Sequence, residues 1–323
     1  MTAFFLLLLS RALAVDVVCT LPWLGDVTRR VAPAANVTTL ARASEDPHVL
    51  SPTPALIAKV SGADLFVENG LGLELWAAKL LDSAGNPGIR PGQPGYVRAT
   101  VGMRTLEVPT DLSRARGDLH AEGNPHVWLD PLNVPIAADN IAAGLGKVDP
   151  AHAADYLKNA KALRLKIHEA TFGKDLVGFL GGDVLMRLAQ SGKLDAFLVS
   201  KGLEGRLGGW LRAGAALKGK PMVFYHRSWP YFVARFGVDV VGYVEDRPGI
   251  PPTAAHRDEL LRLIRARSVR VIEVTSYYDD KLPSLLARET GGRVARVGGD
   301  VGGTPAATDY FAYIDSLLAA FVP

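Results

Sequence analysis

The chain reads as an α/β protein made of two βα lobes with mainly parallel sheets, joined by one long backbone helix. Three observations predict this. From Val15 onward, short strand-like apolar runs alternate with helix-like runs, the pattern of βαβ units. A second alternating block begins at Pro221. Between the blocks, Asp149-Pro150 opens an amphipathic run that reaches Thr171, about six turns at 3.6 residues per turn. With 323 residues, the chain can fill two ordinary cores. The expected partition is a leader over 1–14, a first lobe over 15–148, a linking helix over 149–172 and a second lobe over 173–323.

Each element has its own reason. Val15–Thr20 is apolar and β-branched, hence a strand. Leu24–Val31 carries a helical stripe, and Val37–Ala41 is a second strand. Thr53 is a good N-cap with Pro54 at the first helical position, so a helix runs to Ser61. Asp64–Val67 is a strand ended by Glu68-Asn69-Gly70, and Leu73–Leu81 is helical. The Gly- and Pro-rich stretch from Ser83 to Asn124 reads as a long loop, of the kind that is usually functional, with one strand at Arg104–Val108. Asn133–Leu145 is helical, and Asp149 and Pro150 are suited to cap the long helix. Gly181–Lys218 reads as short amphipathic helices with glycine breaks, in the manner of an insertion. Strict alternation then follows: strands Pro221–Tyr225, Val238–Val244, Val269–Thr275 and Arg293–Val297, with helices Trp229–Phe236, Thr253–Ala266, Lys281–Thr290 and Tyr310–Phe321.

The 36 basic and 33 acidic residues leave a formal charge of +3. That balance gives no electrostatic footprint for nucleic acid. Phe4–Leu9 is a short apolar core followed by Ala12-Leu13-Ala14, which fits a cleavable export signal and falls well short of the ~20 residues that span a bilayer. The single cysteine, Cys19, follows Val18 rather than a small residue. It reads as a buried strand residue, and the exported protein is expected not to be a lipoprotein.

Three histidines stand where a strand or turn hands over to a helix: His48 in Asp46-Pro47-His48, His126 in Asn124-Pro125-His126, and His226 after the run Met222–Tyr225. Open α/β sheets present groups to ligands at these strand ends. Three neutral imidazoles suit zinc and its neighbours, and a proline directly before two of them stiffens the loops. A fourth ligand is expected to be a carboxylate of the second lobe. Asp300, in Gly298-Gly299-Asp300, follows a strand. Glu273 competes from inside a strand, as ligand or as a group that orients one. His120, His152, His168 and His256 lack the shared context and read as surface or capping groups. Arg227 flanks the site, and Trp229 reads as core. No HExxH, HxH or Gly-x-Ser-x-Gly motif occurs, so hydrolytic chemistry finds little support.

At Asp46-Pro47-His48 with Pro52-Thr53-Pro54, at Asn124–Pro131, at Tyr225-His226 with Trp229–Phe232, and at Pro248–Thr253, the chain resembles the ZnuA/TroA-like metal-binding proteins of ABC importers. The resemblance covers most of the chain. It implies a metal held between the lobes by His48, His126, His226 and Asp300, and Zn²⁺ as transported ligand, with Mn²⁺ as the competing cargo. It further implies a periplasmic monomer that is not an enzyme and serves an ABC permease and its ATPase. The loop around Asp300 is shorter than the family's, and the histidine-rich loop of many zinc members is absent; only His120 stands there. A zinc hydrolase using the same histidines, and a surface adhesin, are the readings from other classes.

Overall fold

The computed structural model describes residues 14–110, 120–247 and 249–322. The expected leader over 1–14 lies, but for Ala14, outside the described residues. Two four-stranded parallel sheets are present. The first contains β1 (Asp16–Cys19), β2 (Asn36–Thr39), β3 (Leu65–Glu68) and β4 (Tyr96–Arg98), in the order β2-β1-β3-β4. The second contains β5 (Pro221–Phe224), β6 (Asp239–Tyr243), β7 (Val271–Thr275) and β8 (Arg293–Val297), in the order β6-β5-β7-β8. The chain therefore winds the same way twice, and in each sheet the order reverses beside the first strand. Such a reversal opens a crevice at the carboxyl ends of the strands.

The central strands are buried runs: Val17, Val18, Cys19, Leu65, Phe66 and Val67 in one sheet, Met222, Val223, Phe224, Ile272 and Val274 in the other. Sheets covered by helices on both faces need such continuous apolar strands. The Cys19 thiol meets the Thr28 hydroxyl at 3.3 Å. Helix Pro54–Ser61 starts as its sequence predicts, with Thr53 Oγ1 accepting from the Leu56 amide.

Two expectations need correction. The fourth strand of the first sheet is Tyr96–Arg98, not Arg104–Val108. Glu107 adopts φ 51°, a left-handed conformation that a strand does not tolerate. The Leu106 backbone instead bonds outward, its amide to the Tyr231 hydroxyl and its carbonyl to the Asn124 amide. In the long helix, Ala153–Phe172, Asp149 does not cap the backbone. Its carboxylate accepts from the Tyr156 hydroxyl and meets His152 Nδ1, so the chain enters through a short 3₁₀ turn, Pro150–His152.

The lobes share one apolar core. Val17, Val67, Trp128 and Ile141 belong to the same buried cluster as Phe224, Trp229, Val297 and Tyr313. Polar bonds cross with it. Trp128 Nε1 donates to the Gly299 carbonyl (3.0 Å) and Tyr310 donates to the Trp128 carbonyl (2.5 Å). Arg235 grips Asp130 through two bonds of 2.8 and 2.7 Å. The two side chains are only 9% and 12% exposed, so this is a desolvated pair whose geometry is bidentate.

Candidate metal centre

Two of the histidines sit in loops built alike. In Asp46-Pro47-His48, Asp46 Oδ1 accepts the His48 backbone amide (3.0 Å) and pairs with Nδ1 of the same ring (2.6 Å). In Asn124-Pro125-His126, Asn124 Oδ1 accepts the His126 amide (3.1 Å) and pairs with its Nδ1 (2.9 Å). Each proline carbonyl is held as well, Pro47 by Trp76 Nε1 and Pro125 by Asn69 Nδ2. An aspartate or asparagine oxygen two places before the histidine thus closes a local turn and fixes the ring. Burial lifts the Asp46 carboxyl, but the His48 ring outweighs it and holds the group below its ordinary range.

His226 follows β5. Its Nδ1 meets Glu245 Oε2 at 2.8 Å, a partner 19 residues away. Tyr278 stacks on Tyr225 (4.5 Å between centroids) and lies 5.8 Å from the His226 ring. Arg227 packs over the Tyr243 ring, and Trp229 is buried against Phe224 and Phe321.

The structure brings these three imidazoles together. His48 lies 5.3 Å from His126 and 5.9 Å from His226, and His126 lies 6.2 Å from His226, centroid to centroid. Nδ1 of each ring faces an oxygen acceptor, so Nε2 is the nitrogen left to a ligand. His126 Nε2 is buried and meets no hydrogen-bond partner among the described residues. Burial first, then the neighbouring His48, His226 and His120 rings, pushes His126 well below the usual histidine range. That direction favours the uncharged imidazole, the form that binds a metal. On one tetrahedral zinc, with Zn–N bonds of about 2.0–2.1 Å, ring centroids would stand about 5 Å apart. The rings are gathered slightly wider than that, and among the described residues no three His, Cys, Asp or Glu side chains form a closed ligand set.

The reading of His120 as a surface group is corrected. Its ring stacks on His48 at 5.2 Å and lies 6.5 Å from His126. His168 is not a surface group either but is 2% exposed, within the long helix. His152 pairs with Asp149, and His256 meets the Tyr243 carbonyl. Asp300 is buried in an adjoining cleft with Leu21, Pro47, Trp128 and Tyr277. Burial raises its carboxyl well above the usual range against the backbone amides of Val301 and Trp23. Glu273 is fully buried; Oε2 accepts the Tyr225 amide and Oε1 the Thr275 hydroxyl. Burial pushes it up to about 7. Sequence reasoning missed Asn124, Glu245 and His120. For Asn124 the signal was present, since both motifs carry an Asx residue two places before histidine; for Glu245 no local signal exists.

The sequence profile of the family described as zinc-uptake complex component A, periplasmic (ZnuA), matches residues 17–171 and 205–322, leaving most of the expected insertion outside. The metal ABC transporter substrate-binding lipoprotein ScbA of Streptococcus cristatus is 31% identical over 46% of this chain and 46% of its own length. The zinc-binding lipoprotein AdcA of Streptococcus pneumoniae is 25% identical over 85% of this chain and 48% of its own. The chain thus spans about half the length of the curated relatives it first matches. A zinc-bound ZnuA deletion mutant superposes with TM-score 0.70 at 20% identity, over 96% of this chain and 98% of that one, which shows the shared fold. The expectation that the chain is not a lipoprotein does not stand, because ScbA and AdcA are both lipoproteins by name.

Proposed function

The chain belongs to the zinc-uptake complex component A family, and from that premise we propose that it is an extracytoplasmic receptor that binds Zn²⁺ between its lobes and hands it to an ABC permease driven by its own ATPase. His48, His126 and His226 are the ligands of this reading, each through Nε2. The observation that carries it is the common orientation of the three rings: Asp46, Asn124 and Glu245 each take Nδ1, so three lone pairs from two lobes are left to one ion. The chain acts as a carrier, and as a monomer, rather than as an enzyme. A zinc hydrolase needs a general base beside an open metal position, but Asp46 and Glu245, the carboxylates that meet the rings, are engaged by His48 and His226.

Calorimetric titration tests the reading. Zn²⁺ should bind the wild type in a single site more tightly than Mn²⁺. Each of His48→Ala, His126→Ala and His226→Ala should weaken Zn²⁺ well over tenfold, since even partners behind a ligand are worth about that much. A ligand confined to the folded state adds about 4 kcal/mol at 1,000 times its dissociation constant, so zinc should raise the melting temperature clearly. Unchanged zinc affinity in His126→Ala and His226→Ala would remove the site.

A further inference from the structure

We propose that His120 supplies the fourth ligand through Nε2, so that the ion is held by four imidazoles while the Asp300 carboxyl stays outside the shell. The inference rests on the receptor reading above and deepens it.

The geometry around His120 repeats that of the other three rings. Its Nδ1 meets the Gly72 carbonyl at 3.1 Å. A carbonyl can only accept, so Nδ1 carries the proton and Nε2 is the donor atom toward a metal. That Nε2 lies 3.2 Å from His48 Nε2. Two such nitrogens face each other at this distance when they share one proton. They also do so when they share one cation: two ligands on a tetrahedral zinc with bonds of about 2.0–2.1 Å are separated by about 3.3 Å. The His48–His120 centroid distance of 5.2 Å likewise matches the about 5 Å expected of two imidazoles on one zinc. Of all the ring pairs, this one needs the least movement to close.

Asp300 is arranged for another task. Its Oδ1 accepts the Val301 amide at 2.6 Å, and the loop around it is packed so that Gly298 and Gly303 approach backbone to backbone. A carboxyl held this way braces the loop whose Gly299 carbonyl receives Trp128 and Tyr313. It reaches the site through these contacts and not as a donor to the ion.

The test uses the full chain with ¹⁵N-labelled histidine, loaded with ¹¹³Cd²⁺ as a spin-active substitute for zinc. Four Nε2 resonances should show one-bond coupling to cadmium, one of them absent in His120→Ala. His120→Ala should also weaken Zn²⁺ binding at least about tenfold with an unchanged metal-free melt, while Asp300→Asn changes zinc affinity less than about threefold. Three coupled histidines with His120 uncoupled would overturn the proposal, as would Asp300→Asn weakening zinc more than His120→Ala does. Should His120→Ala fail to fold, the coupling count on the wild type decides alone. The receptor reading fails separately: it falls if His126→Ala binds zinc normally. If His126→Ala loses zinc and His120→Ala keeps it, only the fourth-ligand inference falls.

Discussion

The two lobes wind alike but hold their histidines differently. In the first lobe, His48 and His126 are each oriented by a residue two places earlier, inside an Asx-Pro-His turn. In the second, His226 depends on Glu245, which is brought to it by the pairing of β5 with β6. The first lobe therefore carries its two histidines as local, self-contained units. The second orients its histidine only when its sheet is assembled. A shared topology can thus deliver similar site geometry by a short-range route and by a long-range one, and the two routes differ in what damages them.

The largest effect expected is on His126, the most deeply buried of the three rings, whose Nε2 has no hydrogen-bond partner among the described residues. His126→Ala should abolish tight Zn²⁺ binding in a calorimetric titration, and it should do so without lowering the metal-free melting temperature much, because the ring makes few compensating bonds. The interlobe pair comes next. Arg235→Met leaves the Asp130 carboxylate buried without its partner, and breaking one side of such a pair costs about 3–5 kcal/mol. Denaturant unfolding of the zinc-free protein should show that loss.

The comparison itself is sharpened by the orienting residues. Glu245→Ala removes the oxygen facing His226 Nδ1 and should cost about 10–100-fold in zinc affinity. Asp46→Asn should cost less than about threefold, well below that range, because Asn124 already performs the same two-bond task as an amide in the sister turn. If Asp46→Asn proves as damaging as Glu245→Ala, the charge behind the ring matters more than its orientation, and the two routes are not distinct in the way proposed.

The smallest effect is a slope. Glu74 of the first lobe is fully buried and accepts from the Thr20 hydroxyl and the Asn69 and Gly70 amides. Burial, with the neighbouring Glu68 charge, pushes it up to about 8. Glu273, its counterpart in the second lobe, is pushed up to about 7. Both folded values exceed the ordinary 4.5, so the folded state keeps a proton that the unfolded chain has already released. Each group's contribution is fullest at acid pH and is lost as pH rises through the folded value, at up to about 1.4 kcal/mol per pH unit. Metal-free stability should therefore decline from about pH 4.5 upward. Glu74→Gln and Glu273→Gln should each make that decline shallower, as measured by urea unfolding at fixed pH.

How much of this was legible follows the same division. The second sheet's last elements, helix Lys281–Thr290, strand Arg293–Val297 and helix Tyr310–Phe321, have the bounds read from the sequence, because caps, glycines and apolar period agree there. The strand at Tyr96–Arg98 did not announce itself. It is three residues long, and Val97 alone of the three is buried. His48, His126 and His226 could be singled out because local turns and strand ends leave a mark in neighbouring residues. His120 could not, since what places it is the Gly72 carbonyl, 48 residues away. Glu245 was silent for the same reason.

Asn124 has one more consequence. Its carbonyl oxygen holds His126, while its amide nitrogen donates to the Arg227 carbonyl at 2.6 Å, next to His226. One side chain thus reads the ring of one lobe and the backbone of the other. By thermodynamic reciprocity, whatever the bound ion adds to the joining of the lobes, the joining adds to the hold on the ion. On the proposed reading, a docking partner that pried Arg227 away from Asn124 would loosen the ion without touching it, and the loaded protein would resist that prying more than the empty one.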